Sequence, residues 1–271
     1  MPNGTAPSSR GLAQLLRERI EGGEFPPEPD GTPGVLPPIT HLMEQYGVAR
    51  QTVRSAISHL ASEGLVRTAG RKGTFVLPRT ERRRIKRSQI VTKNTAGMYV
   101  FPAASYADEP WQTHGTPHAS YEPAPAVAAE NFGIAEGEEI VRRRRVMSPE
   151  GEPPFQIVDT WLSPRAVSDA PKVAEKSTGP GGYLNRLEEV GHGPISWQEV
   201  TRVRMPSPED ARLLEIPTSM PVMELILVGR SGRDNQPIEV TIRIIPGDRV
   251  ELVADLIRDE SAAWPPKDGR G

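Results

Sequence analysis

Residues 49–66, ARQTVRSAISHLASEGLV, are the stretch that most narrows the folds open to this chain. Their apolar residues recur at helical spacing and define one side of a helix: Val53, Ala56, Ile57 and Leu60. The other side holds only long hydrogen-bond donors and small hydroxyl residues: Arg50, Gln51, Arg54, Ser55, Ser58 and His59. A solvated helix face usually mixes both charge signs, so a face without any acid predicts contact with an anionic partner.

The elements around this helix predict a winged helix-turn-helix. A first helix over 10–23 is followed by a loop rich in proline and glycine, and a second helix begins near Pro38. Gly47 supplies the turn before the third helix, and short strands at 65–68 and 74–77 form a hairpin, the wing. In this fold the third helix enters the major groove of DNA and the wing lies along a neighbouring groove.

The residue types suit these positions. Arginine and glutamine on the third helix can reach phosphates and base edges, and a small residue such as Ser55 lets the backbone come close. The wing tip combines two cations with two glycines that permit close backbone approach: Gly70, Arg71, Lys72 and Gly73. The alternative interpretation is a small helical packing module whose basic face is merely solvated.

Charge is divided unevenly along the chain. Residues 1–95 hold 15 Lys+Arg and 8 Asp+Glu (net +7), whereas the other 176 residues hold 18 and 27 (net −9). A basic module joined to an acidic remainder indicates a polyanion-binding unit attached to something else. The chain has no cysteine, which excludes disulfides, thiolate zinc sites and cysteine nucleophiles, and which fits a cytoplasmic protein. No apolar run is long enough to span a membrane.

The remainder of the chain predicts a second domain of the α+β class. We expect five segments: a disordered start over 1–9, the winged domain over 10–78, a basic linker over 79–95, the second domain over 96–259 and a tail over 260–271. Within the second domain, strands joined by hairpins alternate with single helices, which predicts an antiparallel sheet. We expect its first strand at 97–101, a helix over 181–191 and a later helix that Ser207 caps at its N-terminus. The stretch EPWQTHGTPH predicts a loop over a cleft, with Trp111 packing beneath it.

Four consecutive arginines, Arg142 to Arg145, lie on one predicted strand. Because side chains alternate along a strand, Arg143 and Arg145 share one face, and Arg142 and Arg144 share the other. Guanidinium groups in a row repel one another, so we expect some of them to have anionic partners, either neighbouring carboxylates or an acidic ligand. A surface ladder of salt bridges is the alternative that involves no ligand.

Residues 10–78 resemble the winged-helix domain of GntR-type bacterial transcription regulators. The carrying motifs are LPPITHLMEQYGVARQTVRSAISHLASEGLV and GRKGTFV. The resemblance implies DNA contacts from the third helix and the wing, by Arg50, Gln51, Thr52, Arg54, Arg71, Lys72 and Gly73. An arginine that the family usually has early in the second helix is Thr40 here, and the preceding loop is longer.

The second domain resembles the ligand-sensing UTRA domain of the HutC subfamily, whose fold is similar to chorismate lyase. The motifs are VAAENFGIAEGEEIVRRRRVMSPEGEP, SPEDARLLEIPTSMPVMEL and PIEVTIRIIPGDRVEL. The resemblance implies a small effector held in a cleft on the sheet by Arg143, Arg145 and Glu239. An alternative alignment places the second arginine of the family's pair at Met147, and the family's tyrosine corresponds to Ile245.

Together these features predict a ligand-responsive, sequence-specific DNA-binding regulator, a repressor released by a small acidic effector. Reading enough base pairs needs two recognition helices, so we expect a homodimer on a palindromic operator. One alternative is a constitutive DNA-binding protein whose second domain only dimerises. Another is a chorismate-lyase-like enzyme, but the five histidines are scattered and no catalytic motif is visible. We expect no cofactor and no metal site, since Gly115 and Pro117 separate His114 from His118.

Overall fold

A computed structural model describes residues 6–27, 33–68, 73–77, 82–87, 90–101, 109–262 and 264. The first domain has three helices and a hairpin: α1 Ser9–Glu21, α2 Ile39–Tyr46, α3 Arg50–Ser62, β1 Val66–Thr68 and β2 Thr74–Val76. Its core joins one face of each helix to the hairpin through Leu12, Leu16, Leu42, Val53, Leu60 and Val66. The predicted winged helix-turn-helix is confirmed.

Local sequence explains where these helices begin and end. The Ser8 side chain accepts a hydrogen bond from the backbone N–H of Gly11, so α1 begins at Ser9, inside the segment expected to be disordered. Gly47 ends α2 with φ +63°, a left-handed conformation that glycine adopts without the steric cost of a Cβ atom. The chain can therefore turn within three residues from α2 into α3.

The second domain is built on one antiparallel sheet with strand order β10-β11-β12-β9-β8-β6, and β7 also pairs with β8. The strands are β6 Trp111–Thr113, β7 His118–Pro123, β8 Glu139–Pro149, β9 Gln156–Leu162, β10 Ser196–Arg204, β11 Val222–Arg230 and β12 Pro237–Pro246. Every residue of β9 is buried, as expected for a central strand covered on both faces. The predicted α+β class with an antiparallel sheet is confirmed.

Helices cover both faces of this sheet. They are α4 Ala126–Phe132, α5 Pro164–Asp169, α6 Gly182–Leu187 and α7 Pro208–Leu214. α4 and α7 pack on the face that carries Trp161 and Ile157, and α5 and α6 pack on the face that carries Leu162. The Ser207 cap predicted for α7 is present and forms a full capping box with Asp210.

Several predicted boundaries differ from the structure. The stretch expected to be a loop over the cleft, 109–118, instead contains β6 and the start of β7, both hydrogen-bonded to β8. The strand expected at 97–101 is only β5 Tyr99–Val100, paired with β4 Thr92–Lys93. The helix expected over 181–191 ends as α6 at Leu187 and continues as one wider turn over Glu188–His192.

The segment expected to be a basic linker contains a strand. β3 Arg83–Lys86 pairs in parallel with β13 Val250–Val253, close to the end of the chain. Ile85 and Val250 are buried there against Phe155, Leu225 and Ile245 of the second domain. This part of the linker is therefore packed as a piece of the second domain.

Candidate nucleic-acid interface and ligand cavity

α3 presents the two faces that its sequence predicts. Val53, Ala56, Ile57 and Leu60 are buried, whereas Arg50, Gln51 and Arg54 are exposed and Thr52 and Ser55 are half-buried between them. Within the described parts of the chain, neither Arg50 nor Arg54 forms an ion pair. By contrast, Arg17 and Arg19 of α1 are paired with Glu63 and Glu24. The exposed face of α3 thus offers cations that no acid in the described part of its domain neutralises.

The wing lies beside α3. β1 and β2 pair from Val66↔Val76 to Thr68↔Thr74, and Val35 forms a bridge with Phe75. Gly73, at the end of the tip, has φ +109°, which a side chain would make strained. Two predicted wing contacts, Arg71 and Lys72, lie outside the described residues.

The second domain touches the end of α3. The Ser219 hydroxyl donates a hydrogen bond of 2.8 Å to the carbonyl oxygen of Ser62, the last residue of the helix. The Met220 methyl group packs so close to Gly64 that a Cβ atom there would lie 2.2 Å from it. Ser219 and Met220 belong to the loop after α7, so this loop links the sheet domain to the C-terminal end of the exposed helix.

Two of the four consecutive arginines are bound to carboxylates. Arg142 and Arg144 both hold the buried Asp159, with their closest N–O contacts at 2.8 Å. Arg142 also bonds Glu122 at 2.7 Å, and Arg144 bonds Glu209 of α7 at 2.5 Å. On this face of the sheet the arginine row is a structural ion-pair network, as in the alternative that involves no ligand.

The other two arginines face a cavity. Arg143 donates hydrogen bonds to the carbonyl oxygens of Val173 (2.8 Å) and Glu175 (2.5 Å) and lies over the Tyr183 ring. Burial and the neighbouring charge of Arg145 lower the pKa of the Arg143 guanidinium. The Arg145 Nε is buried and has no hydrogen-bond partner among the described residues. Only on this face, therefore, do the strand arginines lack a carboxylate.

The cavity has a volume of about 690 Å³ and is lined by 25 residues, with cationic, hydroxyl and apolar side chains together. Its floor comes from alternate residues of neighbouring strands: Arg143, Arg145, Met147, Gln156, Val158, Thr160, Leu227, Thr241 and Arg243. Its sides include Tyr99, Phe101, Trp111, Lys176 and Tyr183. Sites for small organic ligands typically have this volume and this mixture.

The family resemblance implies that Glu239 contacts the effector, but in the structure its side chain lies behind the cavity wall. Its carboxylate is fully buried, accepts hydrogen bonds from the Tyr183 hydroxyl and, at 2.8 Å, from the Trp197 indole, and is not among the cavity-lining residues. Burial raises the pKa values of both Glu239 and Tyr183. Glu239 therefore fixes the Tyr183 ring at the cavity wall, one layer behind the surface that a ligand would touch.

Several residues that line the cavity are not identified by the sequence patterns described above. Arg243, Thr241 and Thr160 line the floor, and Tyr183 lines a side. The alternation in PIEVTIRII could have identified Arg243, because it lies two and four residues after Thr241 and Glu239 and so shares their face. No short-range pattern marks Tyr183, since it lies on α6 and its hydrogen-bond partner Glu239 lies on a strand distant in sequence.

The histidines form no metal site in the structure. Within the described residues no group of three His, Asp or Glu side chains is arranged to hold a metal ion. His114 Nε2 is instead 2.7 Å from the Ser148 hydroxyl, and His118 lies on β7. No helix in the described part of the chain is long and apolar enough to cross a membrane.

Comparison with known proteins matches both domains. The pattern described as "Bacterial regulatory proteins, gntR family" matches residues 8–76, and that of the "UTRA domain" matches residues 117–251. An uncharacterized HTH-type transcriptional regulator of Streptomyces coelicolor is 27% identical over 270 residues, covering 97% of both chains. The histidine utilization repressor of Pseudomonas putida is 24% identical over 258 residues, covering 93% of both.

Two further comparisons agree. The mannosyl-D-glycerate transport/metabolism system repressor of Escherichia coli is 25% identical over 234 residues, covering 83% of this chain and 86% of its own. A crystal structure of a GntR-family transcriptional regulator aligns with a TM-score of 0.52 at 24% identity, over 93% of this chain and 98% of that one, which shows a shared fold.

A winged helix-turn-helix followed by a sheet domain with a ligand-sized cavity defines a two-domain transcription regulator. The chain belongs to the GntR-type regulators of the HutC subfamily, in which the DNA-binding domain is followed by a UTRA domain. The resemblance noted in the sequence is confirmed. The relatives compared above are transcription regulators and repressors by name.

Proposed function

We propose that the protein is a repressor that binds a specific operator through α3 and the wing and releases it when a small acidic effector enters the cavity. One observation carries this proposal. Among the described residues, the exposed face of α3 carries arginines that form no ion pair, and the cavity holds half-buried arginines that have no carboxylate partner. Two relatives, the histidine utilization repressor and the mannosyl-D-glycerate system repressor, are repressors by name, which supports the repressor role.

DNA binding follows from the exposed face of α3. Arg50, Gln51 and Arg54 have free donors for phosphates and base edges, and the smaller Thr52 and Ser55 let the helix approach the groove. The wing adds Arg71 and Lys72 beside Gly73. A single helix reads too few base pairs for specificity, so the proposal includes a homodimer on two palindromic half-sites.

Effector binding follows from the cavity. Arg143 and Arg145 project into it from β8, and Lys176 and Arg243 also line it. Glu109 also lines the cavity, but its carboxylate is taken up by Arg83 at 2.7 Å. An acidic ligand would give the buried guanidinium groups the charged partner that they lack, and hydrogen bonds of this kind are among the strongest in proteins.

A contiguous set of contacts supports coupling between the two sites. Strand β8 carries Arg145 on its cavity face and Arg144 on the opposite face, where Arg144 is bound to Glu209 at the start of α7. The loop after α7 then contacts Ser62 through Ser219. A ligand that shifts β8 can therefore favour one arrangement of α3 over another, which is all that release requires.

The experiment that tests this function has two stages. Footprinting of the DNA upstream of the protein's own gene locates the operator, and a panel of carboxylate- and phosphate-bearing metabolites is then screened for release. We expect a palindromic footprint and release by an acidic compound. A footprint that no compound shifts would favour the alternative, a constitutive DNA-binding protein whose second domain only dimerises.

The wing is expected to act through phosphate contacts. Lys72→Ala should weaken binding to operator and unrelated DNA about equally and reduce the slope of log K against log[salt] by about one unit for each wing. Titrations at several salt concentrations, with the exposed Lys172→Ala as control, measure this. A loss confined to one base-pair position would instead make Lys72 a direct base reader.

The loop contact is expected to affect coupling rather than binding. Ser219→Ala removes the hydrogen bond to Ser62 but no residue of either proposed site, so operator affinity and effector affinity measured separately should stay near wild type. The ratio of operator affinities without and with effector should fall severalfold, because coupling energies are only about 1–3 kcal/mol in total. The exposed Ser196→Ala is the control, and an unchanged ratio would exclude this contact from the coupling.

A further inference from the structure

Arg243 is the buried cation of the cavity whose role neither the family pattern nor the ion-pair network explains. It lies on β12, is buried with only 8% of its surface exposed, and lines the cavity floor. Its Nη1 has no hydrogen-bond partner, and no ion pair to it occurs within the described parts of the chain. Its guanidinium carbon lies over the Phe101 ring, 5.4 Å from the ring centroid. Burying an unpaired charge is costly unless a partner arrives.

The strand register places Arg243 and Arg145 in line across three strands, on either side of β9. Arg145 pairs with Val158 on β9, and Val158 pairs with Arg243 on β12, so the three residues form one row on the same face. Two strand spacings separate the outer Cα atoms by roughly 10 Å. Two arginine side chains can span that distance from both ends and meet over the small Val158 side chain.

The charges of this row are not balanced from within. Burial and the charge of Arg145 lower the pKa of Arg243 to about 10, a shift that the nearby Tyr183 and Glu239 oppose only in part, and the Arg243 guanidinium stays protonated at neutral pH. Arg145 Nε, like Arg243 Nη1, is buried without a partner among the described residues. Two unpaired guanidinium groups that face one cavity repel each other, and an anion between them would remove both the repulsion and the missing hydrogen bonds.

We propose that Arg145 and Arg243 form a two-sided anion clamp over Val158, which takes the phosphate or carboxylate head of a small ligand whose apolar part lies against Phe101 and Tyr183. Thr160 and Thr241 form the next row of the floor, where the Thr241 hydroxyl donates to Glu239 and accepts a hydrogen bond from Thr160, so this row ties the clamp's strands to the buried carboxylate. This inference deepens the proposed sensor function and rests on it for its biological meaning. It adds Arg243 as the residue that selects a doubly coordinated acidic head.

The test uses the full-length protein without DNA and simple probes: inorganic phosphate, phenyl phosphate, benzoate and the uncharged benzyl alcohol. Calorimetry on the wild type should show phenyl phosphate or benzoate binding at least tenfold more tightly than benzyl alcohol. Which of the two acids binds better distinguishes a phosphate clamp from a carboxylate clamp. Arg243→Met should weaken the acid by tenfold or more and leave benzyl alcohol unaffected. Arg230→Met, which removes an arginine outside the cavity on the neighbouring β11, should bind like wild type.

Melting of the unliganded protein separates a ligand role from a structural one. Because Arg243→Met removes an unpaired buried charge, the variant should melt at the same temperature as the wild type or higher, and it should lose the stabilisation that the acid gives the wild type. A lower melting temperature with acid binding intact would overturn the clamp, and so would a wild type that prefers no acid over benzyl alcohol.

The outcomes also separate the clamp from the proposed function. If Arg145→Met loses acid binding and Arg243→Met does not, the clamp is wrong but an effector site remains. If both variants lose acid binding and yet no acidic compound releases the wild type from its operator, the clamp stands and the sensor function fails.

Discussion

Arg50→Ala combined with Arg54→Ala is expected to abolish specific operator binding while the protein remains folded. Both side chains are exposed on α3, away from its buried stripe, and neither forms an ion pair in the described parts of the chain. Each lost base-edge contact costs about 1–3 kcal/mol, so two lost contacts cost about 2–6 kcal/mol in each half-site. Fluorescence anisotropy with a labelled operator at ~0.1 M salt measures the loss.

Two comparisons make this result interpretable. Arg212→Ala removes the same charge from the exposed surface of α7 and should bind operator like wild type. The melting temperature of the double variant should also stay close to that of the wild type, since no buried contact is lost. Wild-type operator affinity in the double variant would show that α3 does not present the recognition face.

Asp159→Ala is expected to cause the largest loss of stability, lowering the free energy of unfolding by about 3–5 kcal/mol. Its buried carboxylate binds both Arg142 and Arg144, so its removal leaves two largely buried guanidinium groups with only Glu122 and Glu209 as partners. Breaking one side of a buried ion pair is costly because the remaining charges stay desolvated. Urea denaturation monitored by circular dichroism measures the change.

The matched control is Asp234→Ala. Asp234 also accepts from an arginine, Arg165, but the pair lies at the surface, where solvent screens it, so the urea midpoint should not change. An Asp159→Ala protein as stable as the wild type would mean that the row Arg142–Arg145 does not fasten β8 to the sheet. In that case the ion pairs of Arg142 and Arg144 would no longer support the assignment of a structural role to their face of β8.

The winged domain could be predicted almost completely because its signals are local. The apolar stripe of α3, the glycine at position 47 and the alternation of the hairpin each specify structure within a few residues. The exposed face of α3 could be predicted for the same reason, since a helix that buries one stripe must expose the opposite one.

The second domain was less predictable because its short strands depend on partners distant in sequence. β6 and β7 are separated by a stretch with Gly115 and Pro117, residues typical of loops. Both segments are strands because they form backbone hydrogen bonds with β8, on the side of β8 that faces away from β9. Similarly, alternation showed that Arg143 and Arg145 share a face, but not which face was covered by ion pairs. That depended on Asp159, which lies on another strand.

The pairing of β3 with β13 leaves only a short tether between the wing and the second domain. Only residues 77–82 separate β2 of the hairpin from β3, and six residues span at most about 20 Å when fully extended. The hairpin cannot move farther than that from the sheet domain while Ile85 stays buried beside Val250. Cutting the chain at residue 95 would remove Ile85 and uncover that apolar cluster, so the second domain produced on its own should begin before Arg83.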